Sequence, residues 1–469
     1  MITDSQQTDY QQTVGSRRDL HWTDRLWLAT MSIANGVPFA IIFLLAVMFK
    51  RFGLNNSTVA FNISFACLPW VIIRPACHLL LRRVGWSKDV WLLATELVIA
   101  LSLLLMSESV ASDLWFQQSM IMLIVITTSA TIHNLSTESL YKEITCNPYP
   151  TVLRPLFVAY HSVSLLFCVG FLTMFAGNIE VVTRNPQSAW ATTLRVAALF
   201  YGLLWAFHLL KVWKRNSPSS SDADINNLAN RHELLRAMRL FFGKRSVSIG
   251  AMFFMLFMLP QGLTWVVSSL FIIDSTHRGG LGLSPQEYGL TVGTVGTIGL
   301  TIGAILCLRL LKRYTFHRLL LPFSAASLLP AIAGMVLSHI ATPSLAFVNV
   351  WVFLSHAAIG VVVTTFMSFL AYYSCGKFRP TFYSIGIALL FLSLFLTGLY
   401  SGSLQRYYGY HVYFAFALAA SVLSPVAATI LKLFCFRKNT KQRKEGKEKG
   451  RRKKKRRNEK RRKKKEGRK

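Results

Sequence analysis

The chain has 469 residues, 52% of them hydrophobic and 15% charged, with a mean hydropathy of +0.40 and a formal net charge of +32. Soluble domains carry about 25% charged residues, so this composition excludes a string of soluble domains, a disulfide-rich secreted fold and a disordered chain. The charge is concentrated at one end: residues 437–469 hold 22 Lys/Arg against 4 Glu, and the rest of the chain is a long apolar body.

A bilayer core of about 30 Å takes roughly 20 apolar residues as a helix. Twelve such stretches are predicted. Spans 1 to 6 are 27–49, 58–81, 90–111, 115–140, 152–176 and 189–213; spans 7 to 12 are 247–273, 286–311, 317–340, 344–373, 381–404 and 410–436. They must be helices, because hydrocarbon offers backbone groups only internal partners. The fold class is therefore all-α and polytopic. Residues 1–23 form a polar N-terminal segment, and the first apolar run is long enough to stay in the membrane rather than be removed as a leader.

Basic residues in short loops favour the cytoplasmic side. With the N-terminus inside, the inner loops carry Arg82, Arg83, Lys88, Lys142, Arg154, Lys312, Arg313, Arg318, Lys377 and Arg379, whereas the outer loops carry Lys50, Arg51, Arg184, Arg278 and Arg406. Twelve spans then place both termini in the cytoplasm. The seven cysteines stand singly and read as small apolar packing residues.

Residues 214–246 are the one long internal loop. They begin with the flexible composition Asn216-Ser-Pro-Ser-Ser-Ser-Asp222 and end, over 233–245, in a basic amphipathic pattern suited to the inner leaflet. The loop divides the body into halves at 24–213 and 247–436. A weak repeat supports the division: Leu79-Leu-Leu-Arg-Arg-Val-Gly-Trp-Ser-Lys88 and Arg309-Leu-Leu-Lys-Arg-Tyr-Thr-Phe-His-Arg318 each join a second to a third span. Six plus six spans with this repeated basic turn resemble the major facilitator superfamily. Arg83 and Gly85 match that superfamily's loop pattern, and Arg82 stands where its Asp would be.

Three stretches carry a narrower resemblance. They are Asn35-Gly-Val-Pro38 with Leu68-Pro69 and Arg74-Pro75; Leu259-Pro-Gln-Gly262 with Gly293-Thr-Val-Gly-Thr-Ile-Gly299; and Tyr373-Ser-Cys-Gly376 with Ser401-Gly402 and Gly409-Tyr410. Together they resemble the AmpG-type muropeptide permeases and their Bacteroidetes relatives over most of 24–436. The resemblance implies a bacterial inner-membrane symporter importing a muropeptide, amino-sugar or peptide-like solute with protons. Gln261 and Ser355 lie where that pattern has Glu, and Asn134 and Glu138 where it has Asp.

Ionisable groups inside spans are costly and face the bundle interior or a cavity. In span 4, Thr127, Thr131, Asn134 and Glu138 share one helical face. Arg74 in span 2 requires a nearby carboxylate or a substrate anion, with Glu96 and Glu138 as candidate partners. Gln261, Thr264 and Ser268 form a polar stripe beside Pro260, matched in span 1 by Asn35 and Pro38. His161 and His356 are candidate proton relays; His133 and His208 read as single packed histidines. The span 8 glycines, Gly289 to Gly303, suit close helix packing rather than a phosphate loop. No spacing calls for a metal or cofactor, and no enzyme motif is present.

The expected partners are a small-molecule substrate, protons as coupling ion, and anionic lipids at the tail 437–469, with the chain a monomer. The tail lacks aromatics, so specific nucleic-acid recognition is not expected. Two other functions fit the composition: efflux of amphipathic compounds on the same fold, and a receptor or scaffold acting through its tail.

Overall fold

The computed structural model describes residues 21–84, 86–145, 155–214, 236, 239, 241, 245–374 and 379–433. The expectations for residues 1–20, for nearly all of the linker 214–246 and for the tail 437–469 lie outside the described residues.

Every described element is helical. Among the described residues, eleven helices are long and apolar enough to cross a membrane. Ten of them, from Trp22–Arg51 to Leu345–Ala371, correspond one to one with spans 1 to 10. The eleventh, Arg379–Leu431, has 53 residues, about 80 Å of helix against a core of about 30 Å. It leaves helical geometry at Gly409 (φ 77°, ψ 168°), a conformation open to glycine and strained for other residues. The chain reverses there, giving spans 11 and 12.

The starts of the spans carry ordinary caps. Asn55, Ser87 and Ser344 accept backbone N–H bonds, and Ser284 and Glu287 make a reciprocal capping box with Pro285 in the first turn. The outer faces stay apolar and exposed, among them Leu105, Ile121, Val182, Leu199, Leu203 and Ile302. Such a belt is expected to face lipid, since water would not tolerate it on a monomer.

Two long antiparallel seams join the halves. Spans 2 and 11 pair along their length: Ser57 with Ser403, Ser64 with Gly398, Phe65 with Phe395, Trp70 with Phe391 and Arg74 with Tyr383. Spans 5 and 8 pair through Ser162 and Thr301, Gly170 and Gly293, and Gly177 and Gln286. Exchanging the halves converts one seam into the other. At the 5–8 seam both partners are π-helical, over Leu166–Leu172 and Gly289–Gly296. The π segments meet where only glycine fits, because a Cβ on Gly293 would lie 2.3 Å from the Gly170 Cα.

The span 8 glycines do pack closely, as expected. Gly299 and Gly303 face the carbonyls of Phe353 and Ala357 in span 10. Gly293→Ala is expected to lower stability by about 1–3 kcal/mol through backbone overpacking. Gly202→Ala, whose Cβ would meet nothing within 4 Å, is expected to be neutral or better. Thermal unfolding of the two purified variants checks the contrast; equal midpoints would remove the packing argument. Cys67, Cys168 and Cys307 are buried and free, in keeping with packing roles.

Candidate functional site

Span 1 begins at the near end of the bundle and finishes at the far end. Arg74 sits ten residues from the near end of span 2, buried to 2% exposure. Leaving that guanidinium unpaired would be expensive. Its terminal nitrogens donate to Asn134 Oδ1 and, at 2.7 Å, to Glu138 Oε1, and its face lies 5.9 Å from the Tyr383 ring centroid. Glu138 is therefore the partner, and Glu96 is not. The pair lies at the junction of the halves, since Tyr383 comes from span 11. Arg74 Nε has no partner among the described residues, and the Glu138 side chain keeps 26% of its surface. Both groups thus retain capacity for a ligand.

Glu96 occupies a different setting, inside the first half and fully buried. Its Oε1 lies 2.9 Å from His133 Nε2 and 2.7 Å from His208 Nδ1, with both rings also fully buried. His133 Nδ1 faces Asn35 Oδ1 at 2.9 Å, and His208 Nε2 faces Thr30 Oγ1 at 2.9 Å. Asn35 also donates to Thr137 Oγ1 at 2.8 Å and accepts from Asn134 at 3.5 Å. Spans 1, 2, 3, 4 and 6 are thereby connected by one polar chain from Thr30 to Glu138. The two histidines read singly from the sequence are thus a set. They lie 37 and 112 positions from Glu96, beyond any local periodicity.

The remaining candidates are spread around this chain. Thr131 is fully buried and donates to Thr127 O. Thr264 donates to Pro260 O. Gln261 is buried, and its Nε2 has no partner among the described residues; neither has Trp265 Nε1, one turn along span 7. Trp265 stacks on Phe39, Trp70 stacks on Phe391 at 4.6 Å, and Phe39 meets Phe391 edge-on. Four spans therefore contribute an aromatic shelf, of which Trp70 lies one helical turn from Arg74. His161 bonds to the Ser32 backbone and His356 to Val352 O; the structure brings neither into the Arg74 or Glu96 cluster.

A second polar cluster closes the far end. Lys50 lies 3.0 Å from Asp274 Oδ1, both well buried. Asn56 Nδ2 points at Asp274 Oδ2, Gln405 Oε1 and the Tyr410 hydroxyl at 2.7–2.9 Å, Tyr410 donates to Asp274 at 3.0 Å, and Lys50 also reaches Asn56. Spans 1 and 2 of the first half are thus tied to spans 7, 11 and 12 of the second. Burial opposes ionisation of Asp274, but the bonds from Lys50, Asn56 and Tyr410 and the Lys50 charge outweigh it, holding the carboxyl below its ordinary range. Sequence reasoning treated Lys50 only as a loop base. A signal was available: between 247 and 436 only Asp274 and Glu287 are acidic, and Glu287 is spent on a helix cap.

No known family model matches the chain, and no curated protein matches it. Among solved structures, the nucleoside transporter NupG is similar over 87% of this chain and 98% of its own, with a TM-score of 0.65 and 13% identity. A POT family transporter in complex with 5-aminolevulinic acid covers 90% and 98% with a TM-score of 0.64 and 12% identity. A D-xylose-proton symporter covers 87% and 96% with a TM-score of 0.60 and 13% identity. The chain therefore has the fold these proteins share, the major facilitator fold, with twelve spans in two pseudo-symmetric six-helix halves.

Proposed function

We propose that the chain is a secondary active transporter working by alternating access, which imports a muropeptide, amino-sugar or peptide-like solute with protons. The observation that carries this reading is the junction of the halves. A buried Arg–Glu pair, two donors without partners among the described residues (Gln261 Nε2 and Trp265 Nε1) and an aromatic shelf lie along it. Aromatic faces cover the apolar faces of a sugar ring, while the donors and the guanidinium take hydroxyl, amide or carboxylate oxygens. The similar solved structures are named for nucleosides, 5-aminolevulinic acid and xylose, all polar solutes of modest size.

In this reading the halves 24–213 and 247–436 rock about the site, joined by the linker 214–246, in the bacterial cytoplasmic membrane. The near end is cytoplasmic by its excess of short-loop Lys/Arg. The far-end cluster is then the closed periplasmic gate. The tail 437–469 rests on anionic lipid, and the working unit is a monomer.

The test is uptake into proteoliposomes with an imposed pH gradient, using muropeptides, amino sugars, disaccharides and peptides as probes. Gradient-driven uptake of at least one probe is expected, and its loss in Glu138→Gln. Gradient-driven uptake unchanged in Glu138→Gln would overturn the coupling role of that carboxylate; no gradient-driven uptake of any probe would overturn the importer reading.

A further inference from the structure

We propose that Glu96, His133 and His208 form a proton-binding site that exchanges one proton and is connected through Asn35 and Asn134 to Arg74. The proposal deepens the transporter reading in that the proton would drive the transport proposed above; the site itself is a property of the folded chain.

Donors and acceptors around the two rings constrain where their protons sit. The Thr137 hydroxyl donates to Asn134 O, so it can only accept from Asn35 Nδ2. That fixes Asn35 Oδ1 as an acceptor, and the nitrogen facing it, His133 Nδ1, must carry a proton. On the other side the Thr30 hydroxyl has one hydrogen, and Leu26 O and Trp27 O lie within its reach at 3.1 and 2.9 Å. We assign that hydrogen to the nearer carbonyl, Trp27 O, so that the hydroxyl accepts from His208, whose Nε2 then carries a proton. A neutral imidazole has one N–H, so in neutral rings both remaining nitrogens, His133 Nε2 and His208 Nδ1, are lone pairs. Both face the same oxygen, Glu96 Oε1.

With no further proton the cluster carries a charge of −1 and sets two lone pairs against a carboxylate, in a place without solvent. One proton makes it neutral and repairs one contact. A second proton repairs the other, giving two imidazolium N–H bonds to the carboxylate and a charge of +1. The first proton is therefore resident, and the second forms and breaks a single N–H bond at the ring. Loading changes the charge that His133 presents to Asn35. Asn35 bonds to Asn134, and Asn134 holds Arg74, so the occupied and empty states place Arg74 differently. The other titratable or charged groups facing the cluster are Arg74 from span 2, Glu138 from span 4, Tyr201 from span 6, His161 across span 1 on span 5, and Asp89 two turns nearer the start of span 3. All remain in place in the experiment below.

Solid-state NMR of the full chain in lipid bilayers, with ¹⁵N-labelled histidine and arginine, tests the proposal without any substrate. Signals are assigned with His133→Gln and His208→Gln. His133 Nδ1 and His208 Nε2 are expected to stay protonated between about pH 5 and 9, while the other two ring nitrogens together release one proton. The Arg74 side-chain resonances are expected to move at the same midpoint, and to lose that response in Asn35→Ala. Glu96→Gln should abolish this coupled response of the two rings, because the carboxylate oxygen that both face is gone.

An unprotonated His133 Nδ1 or His208 Nε2, or two neutral rings at pH 5, overturns the site. An Arg74 response that persists in Asn35→Ala overturns the connection. Should Glu96→Gln fail to fold, the tautomers of the unsubstituted chain decide the matter alone. These titrations without gradient-driven uptake of any probe would overturn the transporter reading and leave the proton site standing; uptake without these titrations would overturn the proton site and leave the transporter.

Discussion

Asp274→Ala is expected to cost about 3–5 kcal/mol of stability and to part the two halves at the far end. Removing one member of a buried ion pair leaves the other charge without compensation, and here Lys50 would remain buried at 7% exposure. The loss spreads, because Asp274 also receives bonds from Asn56 and Tyr410. Replacing both charges, as in Lys50→Met with Asp274→Leu, is expected to recover most of the stability, since an apolar pair of similar size removes the orphan.

Two measurements check this. Thermal unfolding of the purified variants reads the stability. Disulfide formation between cysteines placed at Ser57 and Ser403, whose hydroxyls lie 2.7 Å apart across the 2–11 seam, reads the closure. Cross-linking is expected to fall in Asp274→Ala; an unchanged yield would show that the cluster does not hold the end shut. The closure should also be insensitive to pH from about 5 to 8. A carboxyl whose folded pKa is depressed contributes fully above its unfolded value of about 3.9, and that contribution is lost only as pH falls through the lower folded value.

Arg74→Ala is expected to reduce gradient-driven uptake to about a hundredth of the unsubstituted rate. That corresponds to somewhat under 3 kcal/mol at roughly 1.4 kcal/mol per decade, within the range for charge-assisted bonds. Stability should fall by about 1–3 kcal/mol, short of the full buried-charge cost, because Glu138 reaches solvent and is partly screened. Arg74→Lys keeps the charge but loses the fork that serves Asn134 and Glu138 together, so a partial defect is expected. Arg74→Ala combined with Glu138→Gln separates structure from function: stability should return while uptake does not. If uptake returns with stability, Arg74 only supports the fold.

The spans were readable because hydropathy is a property of contiguous sequence, and span 4 was readable despite its polar residues because the length of its apolar run survives them. Arg74 was readable because a guanidinium in a Pro-flanked apolar run demands a partner, and one of its two candidate partners, Glu138, is the one it has. The rest depended on contacts between distant segments. Glu96, His133 and His208 come from three spans, and no periodicity within one helix reports a meeting of three. Lys50, Asn56, Asp274, Gln405 and Tyr410 lie near helix ends, where polar residues are ordinary. The scarcity of acids in the second half was the clue, and it is compositional rather than local. The Trp70, Phe391, Trp265 and Phe39 shelf was hidden because aromatics in membrane helices are common, and only the crossing of spans 1, 2, 7 and 11 gathers these four.

The reversal at Gly409 has a mechanical meaning. Gln405 lies one turn before it and Tyr410 directly after it, and both grip Asn56. A single residue joins two membrane-length helices there, so the connection has no slack of the kind a longer loop would supply. In the proposed transport cycle, spans 11 and 12 are therefore expected to move as two arms of one crank whose elbow is held by the far-end cluster. Releasing the elbow is expected to free both arms together, with Asn56 holding the residues on either side of the bend until then.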